Sequence, residues 1–271
     1  MHQQPTHGPS PTTTQGWPRP SSATRRICPE VEVGGFHRYS QQLQFYARVN
    51  ALLGPESVVV DLGAGRGEWA DSQPSAYVRD LMSFRGRVGE VIGVDIDPVV
   101  ATNPTVDRAV IMDDAMTMSG VASASVDLIV ARAVLEHVAD PSTFAAEVDR
   151  VLRPGGWMCA WTPNKWGCVA LAARAVPNDS HVSALRRLQH GRQARDVFPT
   201  AYRLNTRRSI RRWFPAEHFD DFTYTYGGLP SYYGNSVVLG SALLAYEKIV
   251  PRPLNSHLHV FLRKAGPERA G

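Results

Sequence analysis

Short apolar runs, rich in β-branched residues and bounded by breakers, recur along the first two thirds of the chain at 58–62, 91–95, 107–112, 125–131 and 157–162. Runs of this length read as strands buried on both faces, as in a parallel sheet. Between them the period changes. Tyr39, Leu43, Tyr46, Val49 and Leu53 fall at helical spacing, so the pattern predicts a helix over 36–53, stopped by Gly54-Pro55. A helix interrupted near Pro74 follows the first strand. Asp97-Pro98 and Asp140-Pro141 each place a capping acid before a first-turn proline, and the second of these opens a helix to Leu152. Pro154-Gly155-Gly156 turns the chain into the fifth strand. Further on, the spacing predicts a helix over 206–214, a sixth strand over 219–226 and an apolar helix over 237–250. Alternating strands and helices of these lengths imply a doubly wound α/β sheet.

Candidate chemistry gathers after the first strand. Val58-Val59-Val60-Asp61-Leu62 runs into Gly63-Ala64-Gly65-Arg66-Gly67, a turn whose alternating glycines let a ligand approach the main chain. Such loops between a first strand and its helix cradle nucleotides and nucleotide-like cofactors. The second strand ends in Asp95, where an acid accepts both ribose hydroxyls of such a ligand. The third ends in the tandem acids Asp113 and Asp114.

Five segments together resemble the class I S-adenosylmethionine-dependent methyltransferases, in particular the branch called methyltransferase type 11. They are Val-Asp-Leu-Gly-Ala-Gly-Arg-Gly at 60–67, Gly-Val-Asp-Ile-Asp at 93–97, Val-Asp-Leu-Ile-Val at 126–130, Leu-Glu-His-Val at 135–138 and Arg-Val-Leu-Arg-Pro-Gly-Gly at 150–156. The resemblance covers roughly residues 38 to 163. It implies a Rossmann-like sheet of seven strands, mostly parallel with one antiparallel strand, the last, placed at 258–263, and helices on both faces. It also implies S-adenosylmethionine as cofactor, bound by Asp61, Gly63, Ala64, Gly65 and Gly67 on the loop and by Asp95 and Ile96 at the ribose. Asp114 with Ala115 would hold the adenine, Asp113 being the rival acid. Ala131 and Arg132 would flank the sulfonium, and the N-terminal helix would cover the site, bringing Tyr39 and Arg38 within reach of cofactor or substrate.

The remaining features bound this reading. The 271 residues suit one α/β domain over 28–271. Residues 1 to 27, rich in Pro, Thr, Ser and Gln, read as a disordered tail. Cys28, Cys159 and Cys168 are too few and too scattered for a disulfide framework or a paired zinc site, which points to a reducing cytoplasm. No run approaches the roughly 18 apolar residues of a membrane span.

Nearly a hundred residues separate the fifth strand from the last, a surplus expected to form a substrate cap over 164–200 and 227–256. Its Trp166, His181, Phe198, Tyr202, Tyr232, Tyr233 and Tyr246 suit the lining of an apolar pocket for a small molecule. Arginines at 186, 187, 192, 195, 203, 207, 208, 211 and 212 form a basic cluster, read as a solvated face more readily than as a nucleic-acid groove. His137 is the first candidate base for a protonated nucleophile, with His181, Tyr232 and Tyr233 behind it. The function expected is methyl transfer to an oxygen or nitrogen of a small-molecule acceptor, a biosynthetic intermediate of a specialised metabolite or glycan. An RNA methyltransferase, a nicotinamide-dependent oxidoreductase and a catalytically silent relative are the competing readings.

Overall fold

Eight strands form one sheet in a computed structural model that describes residues 18–113, 116–175, 199–230 and 233–266. The strands are β1 (Val58–Leu62), β2 (Glu90–Asp95), β3 (Arg108–Ile111), β4 (Val126–Arg132), β5 (Leu152–Pro163), β6 (Phe219–Asp221), β7 (Tyr224–Tyr226) and β8 (His257–Lys264). Their order across the sheet is β3-β2-β1-β4-β5-β8-β6, with β7 also on β8. From β3 to β5 every pairing is parallel. The last strand runs antiparallel to β5, wedged between it and the β6/β7 edge.

Seven strand positions are therefore filled, as the resemblance implies, but the sixth is broken. Phe222 and Thr223 interrupt it; the Phe222 amide donates to the Phe261 carbonyl at 2.9 Å and the Thr223 amide to Asp221 Oδ1 at 2.8 Å. A second irregularity lies in β5. Val126 pairs with Leu152 and Leu128 with Trp157, so the Pro154-Gly155-Gly156 turn is absorbed into the strand as a shift of register.

Alternation along the strands feeds two cores. Val60, Leu62, Ile92, Val94, Ile129, Met158, Val260 and Leu262 face one layer, where Phe144, Val148 and Val151 of α5 (Pro141–Val151) pack with Ile210 of α7 (Arg207–Trp213). Val59, Val91, Leu128, Val130, Cys159 and Phe261 face the other. There they meet Phe45, Tyr46 and Val49 of α2 (Gln41–Asn50) and Val78 and Met82 of α4 (Ala76–Met82). Helices on both faces are what near-continuous apolar strands require.

The expected helix over 36–53 is shorter than its apolar pattern, because Ser40 caps it by accepting from the Leu43 amide at 3.2 Å. The expected interruption near Pro74 separates α3 (Trp69–Ser72) from α4. Asp97 accepts from the Val99 amide at 2.9 Å, but what it caps is a 3-10 turn over Pro98–Thr102.

One part of the tail departs from its composition. Residues 22–27, expected to be disordered, form the helix α1 (Ser22–Ile27). It packs against α8 (Val237–Ile249), the apolar helix foreseen near the end of the chain, and Ala23 and Cys28 are buried with Tyr233 and Leu244. α6 (Cys168–Ala175) opens the cap region. No helix among the described residues is long and apolar enough to cross a membrane.

Candidate active site

The loop after β1 is built by its backbone. Gly63, Gly65 and Gly67 have φ of +73°, +52° and +77°, left-handed values that a Cβ makes costly. The three differ in what surrounds them. A Cβ on Gly63 would stand 2.5 Å from Val134 Cγ2, and one on Gly67 would stand 2.5 Å from Asn103 Oδ1, whereas nothing lies within 4 Å of one on Gly65. The loop is thus packed at both ends and open at its centre. Asn103 latches it from behind, Nδ2 donating to the carbonyls of Ala64 at 3.0 Å and Gly65 at 3.1 Å. The Gly63 amide donates to the Val94 carbonyl at 2.7 Å, tying the turn to β2.

Asp95 lies at the tip of β2, buried, and accepts from the Gly65 amide at 2.8 Å through Oδ2 and from the Asp97 amide at 2.9 Å through Oδ1. A carboxylate oxygen has two lone-pair sites, so each keeps one for a ligand hydroxyl. Ile96 beside it is exposed. Asp61, on the same strand as the loop, has its carboxyl pushed up to about 6, chiefly by burial; Arg132 opposes the shift and Asp95 adds to it. Asp113 accepts from the Thr117 amide at 2.9 Å and from its hydroxyl. Asp114 and Ala115, expected at the adenine, lie outside the described residues.

Beyond the loop a cleft of about 980 Å³ runs under the N-terminal segment. Glu68 and Trp69 line it at the loop end, Arg132, Ala133 and Glu136 at the tip of β4, and Trp161, Pro163 and His257 where β5 and β8 meet. Its cover comes from residues 18–42 and from Leu229, Tyr233 and Asn235. The cover is pinned by hydrogen bonds from the Ala23 amide to Asn235 Oδ1 at 2.9 Å and between Thr24 Oγ1 and Tyr233 Oη at 2.7 Å.

Several expectations about this region change. His137 is not among the residues that line the cleft; its Nδ1 pairs with the Pro199 carbonyl at 2.9 Å, tethering the β4–α5 loop to the segment before α7. One residue earlier, Glu136 does line it. It is buried, and its Oε2 accepts from the Thr162 hydroxyl at 2.8 Å, which in turn accepts from Asn205 Nδ2 at 2.7 Å.

Tyr39 precedes α2 rather than riding on it. Its ring packs beside the α1/α8 cluster with Lys248 Nζ 5.0 Å from its centre, and Arg38 turns to Glu30 at 2.8 Å. Neither lines the cleft. Ala131 is buried in the core behind the cleft. His181 and Tyr232 lie outside the described residues, and Tyr233 is committed to the cover.

Two lining histidines escaped the sequence reading. His37 and His257 each bury an Nδ1 that has no hydrogen-bond partner. An orphaned lone pair is cheaper than an orphaned N–H, which places the proton of each neutral ring on Nε2. Burial pushes His257 down to about 3 and His37 below its usual range, so both rings are neutral near pH 7. The signal for His257 was present in His257-Leu258-His259, two imidazoles on one face of an apolar strand. Among the described residues no group of His, Cys, Asp and Glu is arranged to hold a metal ion.

Comparison with known proteins places this geometry. A family described as "Methyltransferase domain" matches residues 60–160. Over 112 residues the chain is 36% identical to a probable S-adenosylmethionine-dependent methyltransferase of Mycolicibacterium smegmatis, a match covering 40% of this chain and 38% of that protein. The chain thus spans well under half the length of this curated relative. Among solved structures, a putative sarcosine dimethylglycine methyltransferase from Galdieria sulphuraria superposes with a TM-score of 0.50 at 16% identity, covering 82% of this chain and 84% of that one. A geranyl diphosphate methyltransferase in complex with GPP and sinefungin gives 0.50 at 15% identity, with 83% and 76% covered. At such identities the likeness is one of fold.

Proposed function

We infer, from a chain whose residues 60–160 match a methyltransferase-domain family, that it is an S-adenosylmethionine-dependent methyltransferase and methylates an oxygen or nitrogen of a small molecule held in the 980 Å³ cleft. The acceptor we favour is a biosynthetic intermediate of a specialised metabolite or glycan. The observation that carries the reading is the position of that cleft, which starts at the loop's Glu68 and Trp69 and ends among polar groups at the tips of β4, β5 and β8. Its volume is that of a small-molecule site.

The residues present fit the cofactor. Gly65 is open where a Cβ would otherwise fill the cradle, and Asp95 keeps acceptor capacity beside it. Bound S-adenosylmethionine supplies a methyl group on a positively charged sulfur, to be displaced in line. Since the donor is already activated, the chain's task is mainly positioning and exclusion of water, which together account for up to about 7 to 11 kcal/mol in favourable cases.

Arg132 and Ala133 define the wall between loop and cleft, and Trp161 gives the acceptor an apolar face. Glu136 is the proton acceptor of this proposal, oriented by Thr162 through Oε2. Neutral His37 and His257, carrying their protons on Nε2, donate to acceptor oxygens and hold the nucleophile toward the β4 tip. The test is a methyl-transfer screen of candidate metabolites, reading S-adenosylhomocysteine release. Turnover on a small acceptor that is lost in Glu136→Gln while cofactor affinity is kept supports the proposal. Turnover on RNA alone overturns it.

A further inference from the structure

A second cavity, of about 510 Å³, opens beside α7 and is lined by Lys165, Trp166, Arg203, Arg208, Arg212 and Trp213. Four cations meet there. Among the described residues none of them makes a close ion pair with a carboxylate, and only Arg203 feels one nearby, helping the Thr143 hydrogen bonds to lower the Asp140 carboxyl. The neighbouring Arg211 makes such a pair, with Asp221 Oδ2 at 2.8 Å, and it does not line the cavity. Arg203 is held in place by its Nη1 donating to the Ala139 carbonyl at 2.7 Å, and the Arg212 guanidinium stands 5.2 Å from the centre of the Trp213 ring. Thr206 and Ser209 also line the cavity, but their hydroxyls bond each other and the backbone at the start of α7, which leaves ligand binding to the cations. Like charges gathered on one concavity repel until a counter-charge enters it.

We propose that this cavity binds the diphosphate group of a small organic diphosphate, with the rest of the ligand lying on Trp166. Guanidinium forks match phosphate oxygens bidentately, and several cations suit the charge of a diphosphate better than that of a single carboxylate. Trp166 lines the cavity and is 51% exposed, so its indole can stack on a planar partner such as the base of a nucleoside diphosphate. The cations line one concavity of small-ligand size rather than forming a stripe along a face, which favours a small molecule over a nucleic-acid strand.

The site borders the acceptor cleft without belonging to it. The Glu136 carbonyl accepts from the amides of Ala201 at 2.7 Å and Tyr202 at 3.1 Å, so a residue lining the cleft is bonded directly to a residue lining the cavity. The inference does not depend on methyl transfer and is tested without cofactor.

Titration calorimetry and tryptophan fluorescence with ADP, inorganic pyrophosphate and a short single-stranded RNA, at low and raised salt, decide it. The expected result is saturable, salt-weakened binding of ADP that is tighter than that of pyrophosphate. Arg208→Gln with Arg212→Gln should weaken ADP by about tenfold or more, the loss of charge-assisted hydrogen bonds. Arg208→Gln alone should still weaken ADP by several-fold, whereas Arg211→Gln, a single substitution on the same helix with that same loss of one charge but outside the cavity, should leave it within about twofold. Trp166→Ala should abolish the advantage of ADP over pyrophosphate. Melting temperatures close to the parent's would confirm that these exposed substitutions keep the fold. Absence of saturable ADP binding, an equal loss in Arg211→Gln, or tighter binding of RNA with losses shared by Arg211 would overturn the proposal.

Discussion

Asp61 carries opposed demands in a single side chain. Burial holds its carboxyl up at about 6, above the unfolded value of about 3.9, so between these two pH values the folded chain binds more protons than the unfolded one. Its contribution to stability is therefore full below pH about 4 and is lost as the pH rises through about 6. Asp61→Asn should raise the stability at pH 7 by about 2 to 3 kcal/mol, measured by urea denaturation, and flatten the pH dependence across that window. The cationic cofactor of the methyl-transfer reading favours the ionised carboxyl, so its binding near pH 6 should release protons. Calorimetry in buffers of different ionisation enthalpy measures that release, and the Asn variant should lack it. Glu136→Gln, which can still accept from Thr162, should lower turnover by roughly 100-fold to 10,000-fold with cofactor affinity unchanged. A merely structural Glu136 would instead lower the melting temperature. At this scale the residues proposed to hold the cofactor were legible in the sequence, because Gly63 to Gly67 and Asp95 form their loop through local backbone geometry. The sequence did not reveal Glu136, His37 and His257 as neighbours, since they come together only when three distant segments fold over one cleft.

Elements explain why the three loop glycines should respond differently to the same substitution. Gly63→Ala sets a Cβ against Val134 of the β4–α5 loop in addition to its left-handed φ, so it should destabilise the fold by about 1 to 3 kcal/mol. Gly65→Ala meets no protein atom. It should cost about 1 kcal/mol of backbone strain yet weaken the cofactor more than Gly63→Ala does, because its methyl points into the open cradle. Thermal denaturation with and without cofactor separates the two outcomes, and equal effects on both readouts would count against the loop as the cofactor site. Most elements were legible from period and capping residues: α5 from Asp140-Pro141, α7 from the spacing over 206–214, the first five strands from their apolar runs. What was not legible depends on partners. α1 has a polar, tail-like composition and is ordered by docking on α8, with Asn235 capturing the Ala23 amide. The sixth strand breaks at Phe222-Thr223 because Asp221 draws the Thr223 amide to itself.

For the whole molecule, the division between cofactor loop and cleft is also a division of the chain. The loop and its latch lie within residues 61 to 103, while the cleft adds residues 18–42 and 229–257. Deleting residues up to Ile27 removes α1 from α8 and part of the cover. The truncated protein should keep its cofactor affinity and show a raised KM for the acceptor, with turnover at saturation less affected. A matching loss of cofactor affinity would show that the cover supports the loop as well.

β8 sits between β5 and β6, although nearly a hundred residues of chain separate it from β5. Contacts of such separation form slowly, since the connecting chain must close before they are rewarded. β1, β2 and β4, which carry the loop, are joined by much shorter connections. During refolding, then, the ability to hold the cofactor should emerge before the ability to use it. Pulse-labelling hydrogen exchange would read this as early protection of the Val59–Leu62 and Val91–Val94 amides and late protection of Leu258–Leu262, with activity returning at the pace of the second group. Because His257 arrives on that last strand, a half-folded chain would hold its reactive cofactor beside an unfinished acceptor chamber, and the insertion of β8 acts as a timer on the chemistry.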